Sequence, residues 1–275
     1  RELQPKAVIF GMAPDIRWVG TESGYGRETE WSVIPIDLSK LNETIITSTK
    51  NPLDEIYQPH DIMGDDLGSR EKIKSATGLF WYPAETDVSI RPGWFYRSTE
   101  DSLVKSPEKL VDIYFSSVGR NSVLLLNVPP DKRGLITDYD KKSLTVMKKI
   151  LDETFRTNFA KKAKIKSVSM KKINNGYWTT AENIDTASIE FDLPKQQIFD
   201  VAMLQEEISV GQRIEKFHLE YWYGKDWKKF AEGTTIGYKR LLRFEPVKTN
   251  RVKLVIEQSR LNPTLANFGI YKLNK

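Results

Sequence analysis

The chain has 275 residues, 39% of them hydrophobic and 11% aromatic, enough for one large or two ordinary cores and too apolar for disorder. It has no cysteine and only two histidines, which excludes a disulfide scaffold or catalytic thiol and argues against a histidine-rich metal cluster or a serine–histidine triad. The net charge of +5 is uneven, residues 161–275 holding 21 Lys/Arg against 13 Asp/Glu, but these charges stand mostly singly between apolar residues. They read as solvated sheet faces, so no nucleic-acid partner is expected.

The chain opens on Arg1-Glu-Leu-Gln-Pro, without methionine or a signal peptide. It enters almost at once the apolar run Ala7–Phe10, which predicts a buried parallel strand, as if in the middle of a domain. Just beyond lies PDIRWVGTESG (14–24), with an aspartate, an arginine, a tryptophan and a glutamate between glycines. Such a cluster past the C-terminal end of a barrel strand is where catalytic groups sit; an ordinary turn with a surface ion pair is the alternative.

Further apolar runs at 31–36, 79–83 and 122–128 predict strand–loop–helix units up to residue 155. The stretch 42–74, rich in Asp, Pro and Gly and containing His60, predicts a long loop. Ser106-Pro107 predicts an N-cap and first turn, with Gly119 as the stop. Val123–Val128 is expected to be a strand buried on both faces, and 138–159 an amphipathic helix. Beyond a hinge at 160–164, short alternating runs at 165–170, 187–193, 199–206, 213–223, 226–232, 239–245, 250–258 and 267–273 predict a β-sandwich. No run approaches the roughly 18 apolar residues of a membrane span.

Three motifs in order sharpen this picture: QPKAVIFGMAPDIRWVGTESG (4–24), LFWYPAETDVSIRPGWFYR (79–97) and YFSSVGRNSVLLLNVPPDKRGL (114–135). They resemble the α-L-fucosidase family, glycoside hydrolase family 29, especially the branch acting on α-1,3/1,4-linked fucose. Residues 164–275 resemble the discoidin-type, galactose-binding-like jelly rolls that follow many such barrels. The expected fold is therefore α/β plus all-β: the second half of a (β/α)8 barrel over residues 1–160, then a carbohydrate-binding-module-like β-sandwich or jelly roll over 161–275. A complete barrel needs roughly 250 residues, so the resemblance implies that the N-terminal half of the barrel, with the nucleophilic aspartate, lies upstream or on another chain.

The chemistry implied is retaining cleavage by two carboxyl groups, one a nucleophile and one an acid and then a base. The motif aligns Glu22 with the acid/base, although Thr21 stands where the family usually has Asn. Arg17 is expected to bind substrate or orient the nucleophile, with a salt bridge to Asp15 as the plain alternative. Trp18 is either a ligand platform or core. Glu85 and Asp87 share a strand face and are expected to bind sugar hydroxyls or fix Arg91, with a second-choice acid/base role. Trp94, sharing a face with Tyr96, is expected to stack on fucose. Arg120 and Asn121 are expected to cap local structure and His218 to be sandwich framework, while Tyr177, Trp178, Trp222 and Trp227 are available for glycan. The expected partner is a fucosylated oligosaccharide or glycoconjugate, with no metal or cofactor, and the resemblance implies periplasmic or extracellular residence. The competing expectation is a non-catalytic carbohydrate-binding protein with a barrel remnant.

Overall fold

The structure, a computed structural model, describes residues 3–10, 15–36, 73–74, 76–167, 169–173 and 176–274. Most of the predicted 42–74 loop, including His60, lies outside these residues. Strand β1 is Arg17–Trp18; β2 (Val33–Ile36) and β3 (Gly78–Trp81) pair with each other antiparallel. Next come β4 (Ala84–Ser89), helix α1 (Pro107–Ser116), β5 (Val123–Asn127) and helix α2 (Asp138–Phe155). β1, β4 and β5 form a three-stranded parallel sheet in that order.

Two predicted barrel-type strands, 31–36 and 79–83, thus make a separate ribbon. Their apolar residues serve a small cluster of their own, in which Ile34 and Tyr82 are buried and Phe80 meets Tyr82 edge-on at 5.8 Å. The 7–10 run departs further from expectation. Its only ladder contact among the described residues is the parallel bridge Phe10–Ile16, and Phe10 is 54% exposed.

Both helices begin as the sequence dictates. Ser106 Oγ accepts from Lys109 N–H ahead of Pro107, and Thr137 accepts from Asp140 N–H at the start of α2. Helix α2 ends at Phe155, four residues before the predicted end. Gly119 stops the α1 connection because a Cβ there would lie 2.4 Å from the Phe115 carbonyl oxygen.

The helices cover one face of the parallel sheet. Val88 and Ile90 are buried against Leu110 and Ile113, with Leu124, Leu126, Leu144 and Met147 packed around them. The register pairs Trp18 with Glu85, Glu85 with Val123 and Asp87 with Leu125, so these side chains share the opposite face. That face is open at β5, where Val123 is 46% and Leu125 55% exposed. The prediction of a strand buried on both faces fails there, because helices cover only the Leu124–Leu126 side.

The remaining strands are β6 (Lys164–Ser167), β7 (Lys171–Lys172), β8 (Trp178–Thr179), β9 (Ala187–Gln205), β10 (Ile214–Tyr223), β11 (Asp226–Gly233), β12 (Arg240–Ser259), β13 (Thr264–Leu265) and β14 (Asn267–Tyr271). The main sheet runs β11-β10-β12-β9-β14 with β6 added to β9, and β13-β8-β7 form a second, small sheet. Two pairs of predicted short strands merge into the long strands β9 and β12. Their pairing shifts register between Arg243 and Val247 and again between Thr249 and Arg251. Pro194 and Pro246 lie in the unpaired stretches, where a residue without an N–H costs no ladder bond. The core beneath contains fully buried Phe199, Phe217, Ile189, Leu204 and Ile214.

Helices and sandwich share a second core. Val111, Phe115 and Ile150 are buried with Val201, Leu241 and Tyr271, and Phe155 meets Tyr271 edge-on at 5.1 Å. The sequence reading of Arg120 and Asn121 as local caps is too modest. Asn121, with φ 62°, accepts from Tyr238 N–H at 2.7 Å and donates to the Glu30 carbonyl, Ser32 Oγ and Gln212 Oε1. Gly237 permits that approach, since a Cβ there would lie 2.4 Å from the Asn121 side chain. Arg120 crosses to the Gly26 carbonyl and to Glu28.

Candidate active site

The loop after β1 carries Glu22 back over the parallel sheet. It is tied down by Val19 N–H to the Glu85 carbonyl at 2.8 Å and Gly24 N–H to the Asp87 carbonyl at 2.9 Å. Gly24 has φ 69°, and a Cβ there would meet Val88 and Ile113 at 2.9 Å, so only glycine fits this turn. Glu22 is exposed, and its Oε2 accepts a 2.7 Å hydrogen bond from the Trp94 indole N–H. Among the described residues Oε1 takes no hydrogen bond, which leaves it directed to solvent or a ligand.

Trp94 comes from the loop after β4, so two loops that follow parallel strands converge at the C-terminal end of the sheet. That loop is fixed by residues the sequence reading passed over. Asn127 Nδ2, at the end of β5, donates to the Trp94 carbonyl at 2.9 Å and to Ser89 Oγ at 3.1 Å, while Ser89 Oγ donates to the Gly93 carbonyl at 2.7 Å. The available signal was a single amide closing an otherwise apolar strand. Tyr96 does not share a strand face with Trp94. Trp94 lies in a bend and Tyr96 just beyond it, outside any strand, with its ring under the Arg91 guanidinium at 5.0 Å.

Below Glu22 the shared sheet face carries Trp18, Asp87 and Glu85. The half-buried Trp18 donates its indole N–H to Asp87 Oδ1 at 2.8 Å. Glu85, one pleat deeper, is 4% exposed, and among the described residues neither carboxyl oxygen has a hydrogen-bond partner. Burial, with a smaller contribution from the Asp87 charge, pushes its pKa up to about 7. Neither carboxylate fixes Arg91, as had been expected. Arg91 is held instead by buried Asp140, Asp101 and Thr137 Oγ1.

Arg17 requires a correction. By register it sits on the face opposite Glu85, fully buried, and its guanidinium pairs with buried Glu30 and donates to the Tyr82 and Trp31 carbonyls. A side chain so enclosed has no surface for a sugar hydroxyl, so the expected substrate contact is replaced by an internal ion pair. Burial raises the Glu30 pKa, but the Arg17 and Arg27 charges outweigh it and hold the carboxyl below its ordinary value.

In the sandwich, His218 lies on β10 between Glu257 and Glu220, a framework position. Trp178 packs against the core, and Trp222 and Trp227 meet edge-on at 5.3 Å with Arg251 over both rings. Among the described residues, no group of three or more His, Asp or Glu side chains is placed to hold a metal ion. Among them also, no helix is long and apolar enough to cross a membrane.

Comparison with known proteins converges on one lineage. Residues 14–154 match the alpha-L-fucosidase family profile, and residues 171–254 match the NedA-like galactose-binding domain. Alpha-L-fucosidase 1 of Arabidopsis thaliana is 35% identical over 98% of this chain and 52% of its own length. A Bacteroides thetaiotaomicron structure assigned to the alpha-L-fucosidases is 36% identical, with a TM-score of 0.81 over 100% of this chain and 59% of its own. A Ruminococcus gnavus family 29 fucosidase solved with fucose is 30% identical, with a TM-score of 0.79 over 98% of this chain and 53% of its own. The chain thus spans about half the length of the curated relatives it matches. By its family match, its relatives and its structural neighbours, this chain belongs to the alpha-L-fucosidase family, with a galactose-binding-like domain after the α/β region.

Proposed function

We propose that this chain supplies the general acid/base of a retaining exo-α-L-fucosidase acting on α-1,3/1,4-fucosylated glycans. The observation that carries the reading is the convergence of Glu22 and Trp94 at the C-terminal end of the parallel sheet, joined through Oε2 with Oε1 left open. In this reading Glu22 protonates the glycosidic oxygen as fucose leaves, then takes a proton from the water that hydrolyses the fucosyl ester. Trp94 orients the carboxylate through its N–H and offers ring surface to the sugar's apolar side. Asp87 and Trp18 line the floor, and Glu85 lies beneath them. The Ruminococcus relative's complex with fucose supports the substrate class.

A nucleophile must face Glu22 at roughly 5–5.5 Å in a retaining enzyme. We assign it to a complementary barrel segment that would pack on the open face of Val123 and Leu125. The catalytic part would end near residue 160, between α2 and β6, with the sandwich following. The test is hydrolysis of an aryl α-L-fucoside, followed by NMR of the first anomer released. These 275 residues alone should give no turnover. Joined to a barrel segment carrying the nucleophile they should release α-fucose, and release of the β-anomer first would exclude retention.

A further inference from the structure

Arg240 opens β12 at the junction between helices and sandwich and is 4% exposed. Its Nε donates to the Thr235 carbonyl at 2.6 Å and its Nη2 to the Glu28 carbonyl, both uncharged acceptors. Among the described residues Nη1 makes no hydrogen bond and no carboxylate pairs with this guanidinium. Beside it stands Arg120. Burial, and then the Arg120 charge, pull the Arg240 pKa down to about 10, outweighing the Glu28 and Glu30 charges that raise it. A buried cation with no carboxylate in direct contact is costly unless an anion reaches it.

The structure provides a place for that anion. Arg240 lines an interdomain cleft of about 520 Å³ whose ionisable walls are Arg120, Lys216, Arg240 and Arg243 against Glu28 and Glu232. The other charges have partners: Lys216 pairs with Glu257, Arg243 with Asp112, Glu232 with Lys229 and Arg120 with Glu28. Arg240 is the one whose guanidinium, among the described residues, meets no carboxylate directly, Glu28 and Glu30 acting on it only from a distance. The cleft lies beside the N-terminal end of β5, whereas Glu22 lies at the C-terminal end of the sheet, so it is separate from the candidate active site.

We propose that this cleft is an oxyanion site, in which a carboxylate or sulfate group sits on the Arg240 guanidinium with the Glu28-paired Arg120 charge beside it. Planar guanidinium forks suit both groups. Acidic sugars such as uronic or sulfated residues carry this chemistry, and so do free inorganic anions.

Calorimetric titration of the protein with sodium glucuronate, sodium sulfate and glucose, at constant ionic strength, tests the proposal. Saturable binding of glucuronate or sulfate is expected, with none of glucose. Glucuronate binding assigns a sugar-borne carboxylate, whereas sulfate binding alone assigns a tetrahedral anion. Arg240→Gln should weaken binding at least tenfold. Because Arg240 also holds two carbonyls, Thr234→Glu serves as a second variant. It places a carboxylate in the cleft wall, and should abolish anion binding while raising the melting temperature. No saturable binding of either anion, or binding unchanged in the folded variants, would overturn the proposal.

Discussion

Arg17 and Glu30 face each other with both side chains wholly shut off from water, thirteen residues apart, with the loop that carries the candidate acid/base between them. Arg27 adds a second cation, bonding Glu30 Oε2 at 3.1 Å and the Val19 carbonyl at 3.0 Å. The ion pair therefore clamps the loop that presents Glu22. Breaking a buried pair from one side strands the other charge and costs about 3–5 kcal/mol. Because Arg27 still holds Glu30, Arg17→Met should lose no more than that in urea unfolding, and adding Glu30→Leu should regain part of it. A substrate-binding Arg17 would instead raise KM with stability unchanged.

The Trp94 indole is expected to matter through its N–H as well as its ring. Trp94→Phe keeps an aromatic face and removes the donor to Glu22. A hydrogen bond to a charged group is worth about 1.5–3 kcal/mol, so kcat should fall by roughly 10- to 100-fold. Circular dichroism and melting temperature should barely move. A variant with normal kcat would show that Trp94 does not orient Glu22.

Asn121 is a fastener between α/β region and sandwich, and its loss should be felt in stability. Asn121→Ala removes the acceptor for Tyr238 N–H and the donor to Glu30, Ser32 and Gln212, and places a Cβ-bearing residue without local hydrogen bonding at φ 62°. The expected loss is about 2–4 kcal/mol. A drop of several degrees in melting temperature, with earlier separation of domains under limited proteolysis, would register it.

Glu85 predicts a pH signature. Its folded pKa of about 7 lies above the ordinary value of 4.5, so the folded state holds the proton more tightly than the unfolded chain. The stability it contributes is present below about pH 4.5 and is lost as pH rises to about 7. Glu85→Gln keeps the shape and removes the titration. It should match the parent at pH 4.5 and exceed it above pH 7 by about 1–3 kcal/mol. Equal stability at both pH values would mean that Glu85 ionises normally in the folded protein.

The sequence made local signals legible and left long-range ones hidden. Ser106 and Pro107 announce a helix start through bonds within a few residues, and the alternating runs of the sandwich follow from period-two burial. The antiparallel pairing of Val33–Ile36 with Gly78–Trp81 was not legible, because a short apolar run does not reveal its partner. Nor was the merging of strands at Pro194 and Pro246, where proline reads as a stop yet sits in an unpaired stretch within the strand. At the site, motif order pointed to Glu22 and Trp94, and the structure brings them together. Arg17 was misplaced because neighbours in sequence point to opposite faces of a strand, and its partner Glu30 lies across a loop. Asn127 was missed, and Asn121 read only as a local cap, because a lone amide says nothing of the bonds it makes across 33 or 91 residues.

The most direct test of the whole account replaces Glu22 with Gln in active enzyme and compares two fucosides, one with a good aryl leaving group and one an α-1,3/1,4-fucosylated oligosaccharide. General acid–base catalysis is worth about 10²–10⁴-fold. The oligosaccharide should lose rate on that scale, the aryl fucoside should lose much less in its first step, and added azide should restore turnover of the aryl substrate by attacking the fucosyl-enzyme. Equal, small losses on both substrates with no azide rescue would contradict Glu22 as the proton donor.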